Sequence, residues 1–274
     1  MSFSGVFSGA FGTLRRNFML IMIVAALVVF PPAIFVAVMT GNAGGEGSGL
    51  AIVFPLVYLA LVAPMGYALI IKLAGYGHVE QSRKITFMEA WRGIVGDLSR
   101  LWIIYLTTAL AMVFPQAIGF FLKLNVGINS ADYRLDSLII NLSIGFVVMI
   151  VSFFFYLSTY AAVLDRDPGW TAFSTSAKLI TKNIGYAILV FLLATIVPGS
   201  VMGGGFTLAI IIAAATQSTA VFVLAIIGLL LVFTLLLVFT ISLNSVFFVE
   251  ASKKSDVRTT DYWKEFFMLP KEAA

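Results

Sequence analysis

Six stretches of this chain are each long and apolar enough to cross a hydrocarbon core, which takes about 20 apolar residues. They fall at 18–40, 50–74, 101–122, 138–164, 184 to about 207, and about 221–249. A chain patterned in this way cannot hide its apolar surface in one soluble core. Its residues are 61% hydrophobic and 11% charged, against about 25% charged in ordinary globular domains. The expected fold is an all-α polytopic membrane bundle of six transmembrane helices.

A short motif repeats within these runs. Five of the six residues in Val29-Phe30-Pro31-Pro32-Ala33-Ile34 return 84 positions later as Val113-Phe114-Pro115-Gln116-Ala117-Ile118. A degraded copy, Ile196-Val197-Pro198-Gly199-Ser200-Val201, follows 83 positions after that. The spacing implies a threefold repeat of helical hairpins within a single membrane domain. Its parts are repeat 1 at about 1–76, repeat 2 at about 77–165, repeat 3 at about 166–250 and a cytoplasmic tail at 251–274. Proline removes a backbone donor and crowds the preceding turn, so Pro31, Pro115 and Pro198 are candidate helix breaks or cavity-lining positions. Gln116 joins them, either repairing the freed backbone or facing a cavity.

Charge sets the expected orientation. Of the 17 lysines and arginines, all but Lys123 and Arg134 fall on the side of the two termini. The positive-inside rule then places both termini in the cytoplasm of a protein of the cell (inner) membrane. The first apolar run is too long for a signal peptide and lacks a small-x-small cleavage site. Arg15-Arg16 is read as an anchor for that span, although the surrounding residues faintly resemble a twin-arginine signal. The net charge of +4 belongs to span flanks and implies no nucleic-acid partner.

The segments between spans on that side have their own pattern. Thr86 and Glu89 form a capping box, after which Phe87, Met88, Trp91, Ile94, Val95, Leu98 and Trp102 recur at helical spacing. Asp167 as a cap and Pro168 at the first helical position open a second such helix, with Trp170, Phe173, Ala177 and Ile180 on one face. Residues 3–14 make a weaker version. All three read as amphipathic helices lying at the membrane interface, with Trp91 and Trp170 as candidate interface residues. In the tail, Tyr262, Trp263, Phe266 and Phe267 form an aromatic face for lipid, for the bundle or for a partner protein.

On the other side, residues 41–49 read as a flexible linker, and 124–137 as a short polar loop. In the third repeat a straight helix over 184–215 would be about 48 Å long, against a core of about 30 Å. A break is therefore expected at Pro198-Gly199 or at Gly203-Gly204-Gly205. Gly199 and Gly203 also form a GxxxG pair that fits a close helix contact. Ionisable residues at depth usually mark ion or proton routes. Lys72, Lys123, Asp165 and Glu250 all lie near span ends, where snorkelling or solvation accounts for them. His78 is placed in a loop without a partner. The hydroxyl and amide residues left at depth read as interhelical hydrogen-bonding groups or as backbone repair.

No catalytic constellation stands out. Cysteine is absent, which removes disulfides, thiolate metal sites and a catalytic thiol. Clustered His, Asp or Glu for a metal site is missing from the sequence pattern, and so are phosphate-binding and nucleophile-elbow motifs. The expectation is a protein with no enzyme activity, cofactor or metal.

The residues Ala63-Pro64-Met65-Gly66, the amphipathic stretch 87–91, and Trp170-Thr171-Ala172-Phe173-Ser174-Thr175-Ser176-Ala177-Lys178-Leu179-Ile180-Thr181-Lys182-Asn183 before a span carry a resemblance. The chain resembles six-span prokaryotic membrane proteins of the YciC-like and DUF975-like types, and the membrane domain attached to some glycerophosphodiester phosphodiesterases. That likeness implies a six-helix, lipid-associated module; the soluble phosphodiesterase domain has no counterpart here. Two functions follow as expectations. The first is a scaffold, assembly or regulatory subunit with membrane lipids and a membrane-protein partner or a homo-oligomer. The second is a transporter or binder of an apolar or lipid-like solute.

Overall fold

The computed structural model describes residues 2–42, 48–79, 86–95, 98–126, 133–167 and 169–255. Among them every regular element is an α-helix: α1 Phe3–Asn42, α2 Ser48–Val79, α3 Phe87–Val95, α4 Leu98–Val126, α5 Tyr133–Phe155, α6 Ser158–Leu164, α7 Gly169–Lys182, α8 Ile184–Thr216 and α9 Thr219–Ser255. Five stretches are long and apolar enough to cross a membrane: Phe3–Phe35, Val53–Val79, Leu138–Leu164, Ile184–Thr216 and Val223–Ser255. The chain is a multi-pass helical membrane protein. Tyr262, Trp263, Phe266 and Phe267 lie outside the described residues, as does the side chain of Gln116.

Consecutive helices pair. α1 packs on α2, α4 on α5 and α8 on α9, while α9 also runs along α1 and α2. The short α6 touches α2, α4, α7 and α9, and six of its seven residues are buried. The ends that carry Phe3, Val79, Leu98, Gly169 and Ser255 are gathered into one packed base. The opposite halves of the hairpins extend from it as arms.

The prolines do not end helices. α1 runs through Pro31 and Pro32, α4 through Pro115 and α8 through Pro198. Neither expected break in the third repeat forms, because α8 is continuous for 33 residues. The connection after it shrinks to Gln217-Ser218, with Gln217 left-handed at φ 49° and Ser218 Oγ accepting the Val221 N–H at 3.4 Å. A proline costs one intrahelical bond, which a neighbour can replace in a membrane. Pro31 leaves the Leu27 carbonyl without its N–H, and the Tyr58 hydroxyl of α2 donates to that carbonyl.

The interruptions fall where the sequence carries no proline. Asn17, at φ −112° and ψ 18°, kinks α1, and its short amide side chain competes with helical bonding. The apolar stretch Leu138–Leu164 breaks at Tyr156-Leu157. There Ser158 Oγ donates to the Phe155 carbonyl at 2.6 Å, and Ser176 Oγ from α7 donates to the Phe154 carbonyl at 2.8 Å. Two hydroxyls expected to bridge helices or repair backbone turn back on their own helices: Thr195 and Thr234 each donate to the carbonyl four residues earlier at 2.7 Å. Ser245 does the same at 2.7 Å.

Two glycines let the base close. A Cβ at Gly9 would stand 2.8 Å from the His78 ring and 3.1 Å from Val246, and one at Gly77 would stand 2.9 Å from Asn17. These contacts draw the first segment of α1 against the ends of α2 and α9. Phe7 and Phe11 extend the seam by packing on Phe239, with ring centroids 5.4 and 5.2 Å away. The expected GxxxG contact is not made within the described residues. A Cβ at Gly199 or Gly203 would meet nothing within 4 Å, whereas Gly205 lies against Leu229 of α9.

Candidate functional site: a polar base beneath open apolar arms

The polar residues of the base hold its elements to one another. Lys72 is 1% exposed, so it does not snorkel as expected. Its ammonium donates to the Gly93 carbonyl in the last turn of α3 and lies 5.9 Å from the Tyr76 ring centroid. A cation at a helix C-terminus satisfies orphan carbonyls and complements the helix dipole. The opposite end of α3 carries the expected capping box: Glu89 Oε2 accepts the Thr86 N–H at 2.8 Å, and Thr86 Oγ1 accepts the Glu89 N–H at 3.3 Å.

His78 is helical and paired, contrary to the expected isolated loop residue. Its Nε2 lies 2.9 Å from Glu250 Oε1, which Lys253 also approaches at 3.2 Å. The pair bridges 172 positions of sequence, because α2 and α9 end side by side. Lys182 donates to the Ser255 carbonyl at 2.9 Å, and Asn183 to Ser255 Oγ at 3.0 Å, fixing the α7–α8 junction to the end of α9. Deeper in, Tyr67 stacks on Tyr105 at 6.1 Å and 11°, and the Tyr160 hydroxyl faces the Asn244 amide.

The corner between α6 and α7 is a third polar knot. Arg166 adopts φ 54°, a left-handed conformation uncommon for a residue with a Cβ. Arg100 Nη1 donates to its carbonyl at 3.0 Å. Asp167 does not cap α7 as expected; its Oδ2 accepts the Thr175 hydroxyl at 2.5 Å. Burial, reinforced by the neighbouring Asp167, pushes the Asp165 carboxyl up from 3.8 to about 8.

α7 turns its apolar face into the protein. Phe173, Leu179 and Ile180 are buried, and Trp170 alone of that face's large residues stands out, at 79% exposure. On α3, Trp91 is half-buried and stacks on Phe87 at 5.9 Å and 13°.

The arms differ in every respect. The most apolar stretch of α5 has no buried residue, and those of α8 and α9 have 17% buried. Leu110 and Phe114 on α4, Leu142 on α5 and Leu224 on α9 are each at least 66% exposed. A shallow, open apolar hollow lies on the outer face of α4, bounded by Thr107, Leu110, Ala111, Phe114 and Ala117. The three proline sites do not converge on it, since α1, α4 and α8 have at most marginal mutual contact among the described residues.

Sequence reasoning missed the Lys72 clamp and the His78–Glu250 pair. The available signal was position: His78 and Glu250 both close long apolar runs that return to the same side. Among the described residues, no three His, Asp or Glu side chains gather as a metal site would require. Compared with family models, curated proteins and solved structures, the chain finds no match.

Proposed function

We propose that this chain is a non-catalytic membrane module that scaffolds, assembles with or regulates other membrane components. The observation that carries this reading is the arm of α5, whose most apolar stretch has no fully buried residue and turns Leu138, Leu142 and Phe146 outward, while the base is closed. Helices in lipid gain stability by packing and interhelical hydrogen bonds. An arm with little packing of its own is suited to a neighbouring helix. Open Cβ space at Gly199 and Gly203 on α8 agrees with this, since small residues let helices approach closely. The partner is a membrane protein or a second copy, within membrane lipids; no nucleic acid is involved.

The proposal includes six spans, with α4 as the sixth; its 29 residues correspond to about 43 Å of helix. It also includes the threefold repeat. The segment before Asn17, α3 and α7 each precede one hairpin, which supports that order. The basic residues favour a base in the cytoplasm and an inner-membrane location. Exposed Phe87, Met88 and Trp170 suit an interfacial level. The likeness to YciC-like and related prokaryotic proteins stands as part of the same proposal.

The second reading, a binder of a lipid-like solute, draws on the shallow apolar hollow on the outer face of α4 and not on a cavity among the prolines. Intact-complex mass spectrometry from native nanodiscs tests the first reading. The expected result is a stoichiometric partner or homo-oligomer. A monomer under all conditions would refute it.

A further inference from the structure

We propose that the interior of the base binds water at a fixed site, where the Tyr160 phenol is ringed by the side chains of Tyr67, Tyr105, Tyr156 and Asn244. Tyr67 comes from α2, Tyr105 from α4, Tyr156 from the break before α6, Tyr160 from α6 and Asn244 from α9. The Tyr160 phenol is close enough to those of Tyr67, Tyr105 and Tyr156 to interact electrostatically with each, and the Asn244 amide faces it within hydrogen-bonding reach. Tyr160 and Asn244 are 6% and 5% exposed. Tyr67 is five residues from Lys72, about 7.5 Å along α2, so the group lies inside the base and not at its rim.

Two atoms of this group have no hydrogen-bond partner among the described residues: the Tyr156 hydroxyl and Asn244 Oδ1. The hydroxyls of Thr108 and Ser242, also buried without a partner, can turn back to the carbonyl of their own preceding turn, as Thr234 and Ser245 do. A phenol cannot, because its oxygen stands at the end of a rigid ring. An amide oxygen needs a donor, and the N–H groups of a helix interior are already used. Turning the Asn244 amide over puts Nδ2 in the same place, so one end stays unmatched either way. Leaving such groups unmatched in the interior costs their full desolvation.

Room and chemistry select water. Tyr67, Tyr105 and Tyr156 keep part of their surface accessible although they lie deep among neighbouring atoms, so a crevice reaches the group. The five side chains are phenols and an amide, with no formal charge to hold an ion. Together they offer both donors and acceptors, which suits a molecule that offers both in return. Buried water makes about three hydrogen bonds to groups of this kind. Bound here, it satisfies both atoms without bringing a charge into the membrane.

The test is X-ray footprinting of the full chain in nanodiscs, in which radiolysis of water oxidises the side chains beside it and mass spectrometry reads the rate at each residue. Phe247 and Phe248 of α9, with no exposure at all, are the dry reference. Tyr160 is expected to be oxidised at least fivefold faster than either. Asn244→Leu, which removes the amide at similar volume, and Tyr156→Phe, which removes only the hydroxyl, should each lower the Tyr160 rate at least threefold. Should Asn244→Leu fail to fold, Tyr156→Phe decides alone. A Tyr160 rate no higher than those of Phe247 and Phe248, or one unchanged in the folded variants, would overturn the proposal: the first by showing a dry interior, the second by placing the water elsewhere.

Discussion

The base and the arms are made from similar apolar residues and behave as different materials. In the base, Phe247, Phe248, Leu179 and Ile104 have no exposure at all, and polar side chains from five different helices stitch the ends together. In the arms, apolar residues of equal size look outward, and the hydroxyls of Thr195, Thr207, Thr216 and Thr234 bond within their own helices. Hydropathy alone therefore does not say where a membrane protein is solid. What distinguishes the halves is the short helices: α3, α6 and α7 exist only at the base, where they fill the space between hairpins.

Substitutions can break this contrast in order of size. Phe248→Ala should cost about 3–5 kcal/mol, as for buried phenylalanines in close-packed interiors; reversible unfolding in detergent or bicelles measures it. Lys72→Met should cost about 1–3 kcal/mol by leaving the Gly93 carbonyl unsatisfied, with faster hydrogen exchange confined to α3. Tyr58→Phe, which strands the Leu27 carbonyl, should cost about 1 kcal/mol. Leu142→Ala on the outward face of α5 should stay within about 0.5 kcal/mol for the isolated protein. A cost above 2 kcal/mol there would show that this face of α5 is packed within the monomer.

The base should also respond to pH through Asp165. Its carboxyl is raised from 3.8 to about 8 in the fold, so the folded protein holds a proton that the unfolded chain has released. This contribution is fully present below about pH 4 and is lost as pH rises toward about 8. Thermal melts should fall across that window and flatten in Asp165→Asn. A parent melt that does not fall through the window would contradict the assignment.

The apolar spans were legible because a bilayer demands long uninterrupted runs, and the α3 capping box was legible because its bonds join residues three apart. The interruptions were not. Proline is a local signal for a lost bond, but whether a helix stops there depends on a neighbour such as Tyr58. The break at Tyr156-Leu157 depends on Ser176, twenty residues further on and on another helix. The Lys72 clamp was hidden for the same reason: its partner is a backbone carbonyl, which no side-chain pattern announces. Pro115, for its part, marked α4 but not the separation of α4 from α1 and α8.

The central claim is that the arms are association surfaces and the base is not. Site-specific photocrosslinking in native membranes tests it most directly, with a benzophenone side chain placed in turn at Leu142, Ile211 and Leu224 on the arms and at exposed Lys178 on the base. A protein adduct of fixed mass is expected in high yield from at least one arm position, and none from Lys178. Lipid adducts alone from all three arm positions would contradict it.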